Sequence, residues 1–292
     1  MVTANPEFDS LVPAQSFDRR SFLATSLGAG FALAVQPVMA QTAIKTDDAG
    51  LLAGEVKVPV KDGEMTAYRA VPKGVNKPPV VLVVSEIFGV HEYIRDVCRR
   101  LGKLGYCAIA PELFARLGDP RKVSNISEIL ANITNRTPDA QVMSDLDATV
   151  AWAASKGADT DRLAITGFCW GGRITWLYCA HNPQVKAGVA WYGRLVGEVN
   201  EFTPRHPIDV VDKLMAPVLG LYGGLDTGIP LETVEAMEKA LQSGSAAARK
   251  SEIHVYDNAP HAFHADYRPS FRREEAEDGW KRMQAWFGRM NA

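Results

Sequence analysis

Apolar positions along this chain fall into two rhythms. Glu55–Val60 and Met65–Val71 alternate apolar and polar residues with a period of two, split by Lys61-Asp62-Gly63. That pattern predicts a β-hairpin closed by an Asp-Gly turn. Val80–Val84 is an unbroken β-branched and leucine run, the mark of a strand covered on both faces. The period then changes, because Ile94, Val97, Cys98, Leu101 and Leu104 recur at helical spacing within His91–Leu104. Strand-like runs follow at Tyr106–Ala110, Arg162–Thr166, Val185–Trp191, Pro217–Tyr222 and Glu252–Val255. Helical patterns separate them at Ala140–Ser155, Gly171–Ala180, Leu231–Leu241 and Phe271–Phe287, with a weaker one at Ile126–Ile133. Gly193–Asp209 reads as a long loop. Apolar strands alternating with helices predict an α/β fold, a mostly parallel central sheet with helices on both faces. Ligands of such sheets bind at the carboxyl ends of the strands. The residues leaving each strand are therefore the ones to read for chemistry.

Composition changes this picture at one end of the chain. Residues 1–40 carry Asp18-Arg19-Arg20-Ser21-Phe22-Leu23-Ala24, then a small apolar run from Leu27 to Val35, then Val38-Met39-Ala40. This reads as a twin-arginine export signal cleaved after Ala40. It makes the twin-arginine translocase a transient partner and the periplasm or the exterior the destination. The apolar run is shorter than the roughly 20 residues a membrane span needs, so no stable membrane association is expected. Residues 41–53 read as a tether and 54–292 as one α/β domain, expected as a monomer. Without residues 1–40 the chain has 252 residues, with 30 basic and 31 acidic side chains. Such a balance offers no basic excess to a phosphate backbone, so no nucleic-acid partner is expected. Four cysteines are too few for a disulfide scaffold.

One of those cysteines stands in a special place. The strand Arg162–Thr166 leads into Gly167-Phe168-Cys169-Trp170-Gly171-Gly172 and then into a helix. This is a G-x-nucleophile-x-G elbow with cysteine in the nucleophile position. The turn brings strand and helix backbones so close that the flanking residues must be small. The helix N-terminus points at the thiol and favours its ionised form, and the Trp170 N–H becomes an oxyanion donor. A base and an orienting acid should follow in chain order. Asp226 comes behind Gly223-Gly224 after one strand, and His261 lies on the loop leaving the last strand. His264 is the alternative base, or a solvated loop residue. The His261-x-x-His264 spacing could suggest a metal pair, but no cysteine or carboxylate has matching spacing, and no metal or cofactor is expected. His91, His181, His206 and His254 read as surface or helix-terminal, and Cys98, Cys107 and Cys179 as core thiols. A second oxyanion donor should come from Ser85-Glu86-Ile87-Phe88-Gly89-Val90, where Glu86 is an unusual carboxylate among apolar neighbours.

Together with Pro111-Glu112-Leu113-Phe114-Ala115-Arg116, Gly223-Gly224-Leu225-Asp226 and Pro260-His261-Ala262-Phe263, these segments resemble the dienelactone hydrolase (carboxymethylenebutenolidase) family. The match runs in order over residues 54–290. The resemblance implies an α/β-hydrolase fold and a Cys169-Asp226-His261 triad acting through a covalent thioester. It implies that the backbones of Ile87 and Trp170 form the oxyanion hole and that Glu86 takes part in activating the thiol. Phe88, Trp191, Tyr192 and Arg268 would line the substrate pocket. The resemblance departs at Ala265, where a substrate-binding arginine is expected; Arg268 follows three residues later. A second such arginine is sought among Arg121, Lys122 and Arg136. The expected activity is hydrolysis of a small-molecule lactone or ester. The alternatives are a broader carboxylesterase or thioesterase, or a non-catalytic periplasmic binding protein on the same scaffold.

Overall fold

A computed structural model of the chain describes residues 44–291. Arg19, Arg20, the apolar run and Ala40 lie outside the described residues. The hairpin forms as β1 (Leu51–Val60) and β2 (Gly63–Pro72), antiparallel, with Val60 opposite Gly63 and Lys61-Asp62 at the tip. The parallel part is built from β3 (Pro79–Val84), β4 (Cys107–Pro111), β5 (Asp159–Phe168), β6 (Val185–Trp191), β7 (Val218–Gly223) and β8 (Glu252–Tyr256). The described residues form one eight-stranded sheet in the order β1-β2-β4-β3-β5-β6-β7-β8. The β2–β4 pair is antiparallel, and every later neighbour pair is parallel. This is the α/β-hydrolase fold.

Six helices connect and cover the strands among the described residues: α1 (Glu92–Lys103), α2 (Ile126–Asn132), α3 (Asp139–Ser155), α4 (Trp170–Cys179), α5 (Leu231–Ser243) and α6 (Arg273–Phe287). β4 and β7 are buried at every residue, which requires cover on both faces. The pattern carries each of these elements because the hairpin strands alternate, the central parallel strands are largely apolar and the helices carry apolar stripes. It placed the edges less well. β5 starts at Asp159, three residues early, and β1 starts at Leu51, inside the segment expected as a tether. Leu51 is buried against Gly102 of α1. Upstream, the Ile44 N–H donates to Asp266 (3.2 Å) and the Arg99 Nε donates to the Thr46 carbonyl (2.7 Å). Side chains of α1 and of the loop before α6 thus satisfy the backbone of this segment, which composition alone could not show.

α4 carries the nucleophile candidate, and a buried ion pair fixes its side. The Arg173 guanidinium forks onto both carboxylate oxygens of Asp139 at the start of α3, at 2.8 and 2.7 Å. It also donates to the Arg205 carbonyl at 2.5 Å. Its Nε donates to His206 Nδ1 (3.4 Å), and the opposite ring nitrogen meets the Glu198 carbonyl at 2.9 Å. His206, read as surface or helix-terminal, is the N-cap of the 3₁₀ turn Pro207–Lys213 and is only 3% exposed, because it closes the 193–209 loop onto α4. Burial holds its pKa below the ordinary value, so it stays neutral beside Arg173. Arg173→Ala strands the Asp139 carboxylate and should lower the unfolding free energy by about 3–5 kcal/mol, the range for breaking a buried pair. Urea denaturation followed by circular dichroism measures this; a loss under about 1 kcal/mol, the range for an exposed pair, would contradict it.

Candidate active site

Cys169 sits between β5 and α4 with φ 54° and ψ −116°, a conformation few side chains adopt. Three glycines make the turn feasible. A Cβ on Gly167 would collide with the Gly171 carbonyl, and one on Gly171 would collide with the Val84 carbonyl at the end of β3. A Cβ on Gly172 would lie 2.6 Å from the Trp191 carbonyl at the end of β6. The elbow is therefore packed backbone to backbone against both neighbouring strands. Trp170 is the first residue of α4, so its N–H has no acceptor within the helix. Ile87 follows β3 in the segment against which Gly171 packs, and is fully buried.

A second glycine pair brings base and acid together. A Cβ on Gly224 would sit 2.6 Å from the Asp257 carbonyl, and Gly223 is pressed equally close to Ala259. The Leu225 N–H donates to the Ala259 carbonyl at 3.0 Å. With the two loops zipped together, His261 Nδ1 meets Asp226 Oδ2 at 2.6 Å, both side chains being essentially without solvent exposure. The other carboxylate oxygen accepts from the Gly228 and Ile229 amides at 2.9 and 3.2 Å, which fixes the Asp226 rotamer. Burial disfavours an imidazolium here. The Asp226 carboxylate and the Cys169 sulfur outweigh it and hold His261 well above its ordinary pKa. Cys169, His261 and Asp226 are thus brought into one buried electrostatic unit. By contrast Cys98, Cys107 and Cys179 are buried in the core with thiol pKa values raised by desolvation, that of Cys107 to about 11.

Glu86 lies in the same interior, 2% exposed. One oxygen meets His91 Nε2 at 3.1 Å, and the other accepts from the Tyr267 hydroxyl at 3.2 Å. Burial raises its pKa, but His91 and Arg268 prevail and keep it ionised. Arg268 Nε donates to the Tyr267 oxygen at 3.1 Å, and its guanidinium lies over the Phe88 ring at 4.9 Å. The chain therefore delivers a buried guanidinium to the site despite Ala265, from three residues further on. Arg121 does not reach it. Its guanidinium is committed to Glu112 (2.9 Å), Asp119 (2.7 Å) and the Val90 carbonyl (3.1 Å), while Lys122 and Arg136 are exposed.

Trp191 and His264 differ from expectation. Trp191 was expected to line the pocket. Its indole N–H donates to Thr166 (3.1 Å), and its ring packs against Gly279 of α6, so it lies beneath the site. Successive strand residues face opposite sides, and the wall position falls to Tyr192, whose ring stands edge-on to His261 at 5.2 Å. His264 is no solvated residue: it is 2% exposed, with Nδ1 2.6 Å from the Tyr93 hydroxyl. His91 is the N-cap of α1, as a helix-terminal reading requires, but its ring turns inward to Glu86. Tyr93 and Tyr267 escaped the sequence reading altogether. Tyr93 falls on the apolar stripe of α1, which looks like core.

The dienelactone hydrolase family model matches residues 65–291. The chain belongs to the dienelactone hydrolase family. It is 59% identical to a carboxymethylenebutenolidase homologue of Methylorubrum extorquens over 98% of both chains. It is 53% identical to one from Escherichia coli, over 91% of this chain and 97% of that one. A crystal structure of a dienelactone hydrolase homologue from Klebsiella pneumoniae superposes with a TM-score of 0.79 at 55% identity, covering 82% of this chain and 98% of that one. Family membership identifies the chain as a hydrolase of the ester and lactone class.

The raised His261 pKa carries a sign for stability. An imidazolium favoured by the fold stabilises fully below the unfolded value of about 6.5 and is lost as pH rises through the higher folded value. Asp226→Asn removes the chief partner. The wild-type urea midpoint should therefore fall from neutral towards alkaline pH, and the variant's should fall less. Parallel declines in the two proteins would contradict the assignment.

Proposed function

We propose that this protein hydrolyses a small lactone or ester through Cys169, His261 and Asp226 by way of a thioester. His261 in its neutral form accepts the thiol proton as sulfur attacks the carbonyl carbon. The Ile87 and Trp170 amides stabilise the oxyanion. Collapse breaks the carbon–oxygen bond, and His261 returns the proton to the departing oxygen. Water, deprotonated by His261, then cleaves the thioester, and the thiol is restored. Asp226 fixes the His261 tautomer with Nδ1–H towards the carboxylate. Glu86 tunes the thiol: an ionised carboxylate in the same low-dielectric interior opposes a second negative charge on sulfur, so the resting thiol keeps its proton. Arg268 is the cation available to a substrate carboxylate. What carries this reading is the 2.6 Å buried His261–Asp226 bond beside a cysteine in the elbow conformation.

A broader carboxylesterase is the second reading, favoured by Ala265 and by the commitment of Arg121 to Glu112 and Asp119. On p-nitrophenyl acetate, Cys169→Ala and His261→Ala should each lose at least about 10²–10⁴-fold in kcat/KM, the scale of acid–base catalysis. Quenched turnover should leave an acyl adduct on Cys169 by intact mass. Wild-type turnover no faster than Cys169→Ala would overturn the triad. Arg268→Met should raise KM about tenfold more for an anionic lactone than for a neutral ester, as for one lost charge-assisted hydrogen bond. Equal effects on both substrates would favour the broader reading. We also propose export through the twin-arginine route; Arg19→Lys with Arg20→Lys should leave the protein unexported in cell fractionation, and unchanged export would refute it.

A further inference from the structure

Three buried polar side chains that the triad does not use lie in a row behind it. Tyr192 leaves β6, Tyr93 belongs to α1, and His264 belongs to the His261 loop. Their exposures are 0%, 3% and 2%. The Tyr93 hydroxyl and His264 Nδ1 are 2.6 Å apart. The Tyr192 hydroxyl lies next to that of Tyr93 and within electrostatic range of Cys169 and Glu86, yet it completes no hydrogen bond of ordinary geometry. A buried hydroxyl left so costs free energy unless the working state supplies a partner.

The end of the row is rigid and uncharged. The His264 ring is stacked on Phe168 (5.4 Å) and Trp280 (5.7 Å) and lies 4.4 Å from the Trp191 ring. Burial, with Arg100 nearby, keeps it neutral, so it carries one N–H. With that proton on Nδ1, the ring donates to the Tyr93 oxygen. The Tyr93 O–H can then turn to the neighbouring Tyr192 oxygen, which leaves the Tyr192 O–H for the interior of the site. Successive hydrogen bonds of one sense polarise each other. The groups facing that interior are Cys169, His261 with Asp226, Glu86 with His91, Tyr267 and Arg268. Of these, the sulfur is the acceptor created during catalysis, when its proton has passed to His261.

We propose that Tyr192 is a further catalytic residue that donates a hydrogen bond to the Cys169 thiolate, and that Tyr93 and His264 are positioning residues that aim its hydroxyl. No proton leaves the row; it orients a donor. The proposal rests on Cys169 being the nucleophile. Its test reads ionisation of that thiol without substrate, so its failure is distinct from failure of the triad.

The experiment is the rate of iodoacetamide alkylation of the full chain against pH, with Cys169→Ala as the blank for the three core thiols. Tyr192→Phe should move the alkylation midpoint up by about one pH unit, a tenfold loss of thiolate below it. Tyr93→Phe should move it in the same direction by less. In turnover, both should lower kcat and leave KM within twofold. An unchanged midpoint in Tyr192→Phe overturns the proposal, whether or not its melting temperature falls, since packing alone would move only the latter. If Tyr192→Phe does not fold, Tyr93→Phe decides, and an unchanged midpoint there overturns it equally.

Discussion

Everything at the carboxyl edge of this sheet depends on one close crossing of backbones at Cys169. Gly167 admits the Gly171 carbonyl, Gly171 admits the carbonyls of Val84 and Ser85, and Gly172 admits Trp191 and Gly193. The exits of β3, β5 and β6 are thereby held against the first turn of one helix. The elbow does more than expose a thiol. By pressing Gly171 onto the end of β3 it fixes how far Ile87 stands from Trp170, and so the spacing of the two amides proposed to face an oxyanion. By pressing Gly172 onto the end of β6 it sets where Tyr192 enters. One steric constraint thus positions the proposed nucleophile, the proposed oxyanion donors and the rear wall, and the Arg173–Asp139 pair holds α4 in place from outside.

Within that frame, low dielectric sorts the ionisable groups. His261 and Asp226 share a pair that favours charge, and Glu86 keeps its charge because His91 and Arg268 face it. His264, with only the Arg100 cation near, stays neutral. The same burial thus yields an imidazolium-prone ring and a neutral one three residues apart on one loop. The difference lies in the partner each ring reaches, a carboxylate for His261 and a phenol for His264.

Sequence pattern was enough for the parallel sheet and for the elbow, because both are local. A strand buried on both faces is apolar throughout, and a turn without room for Cβ atoms shows as glycine at fixed offsets. The glycines before Asp226 were legible for the same reason. What escaped depends on contacts distant in sequence. His264 and Tyr93 are 171 positions apart, and Tyr267 and Glu86 are 181 apart. No periodicity reports such meetings, and a tyrosine on an apolar stripe or a histidine on a loop carries no mark of its partner. Arg268 shows the same limit: its distance along the chain from His261 suggested a misplaced arginine, whereas the turn through Ala265 brings it over Phe88.

Backbone strain joins these parts. Among the described residues, the non-glycine positions with positive φ are Lys77, Cys169 (54°), Tyr192 (38°) and Ala262 (59°). Lys77 is in a surface turn; the other three surround the thiol. Such conformations cost roughly 1–3 kcal/mol each and persist only where surrounding packing over-determines them. Glycine would relieve the strain at each position, but it would delete the sulfur at 169 and the phenol at 192. At 262 the strained residue directly follows His261, and the Arg272 N–H bond to the Phe263 carbonyl (2.9 Å) closes that turn. The strain at 169 and 192 fits side chains kept for the proposed chemistry. A phenol held in such a conformation, fully buried and without a completed hydrogen bond, breaks a local rule for no gain in stability, and such violations concentrate where chemistry is done.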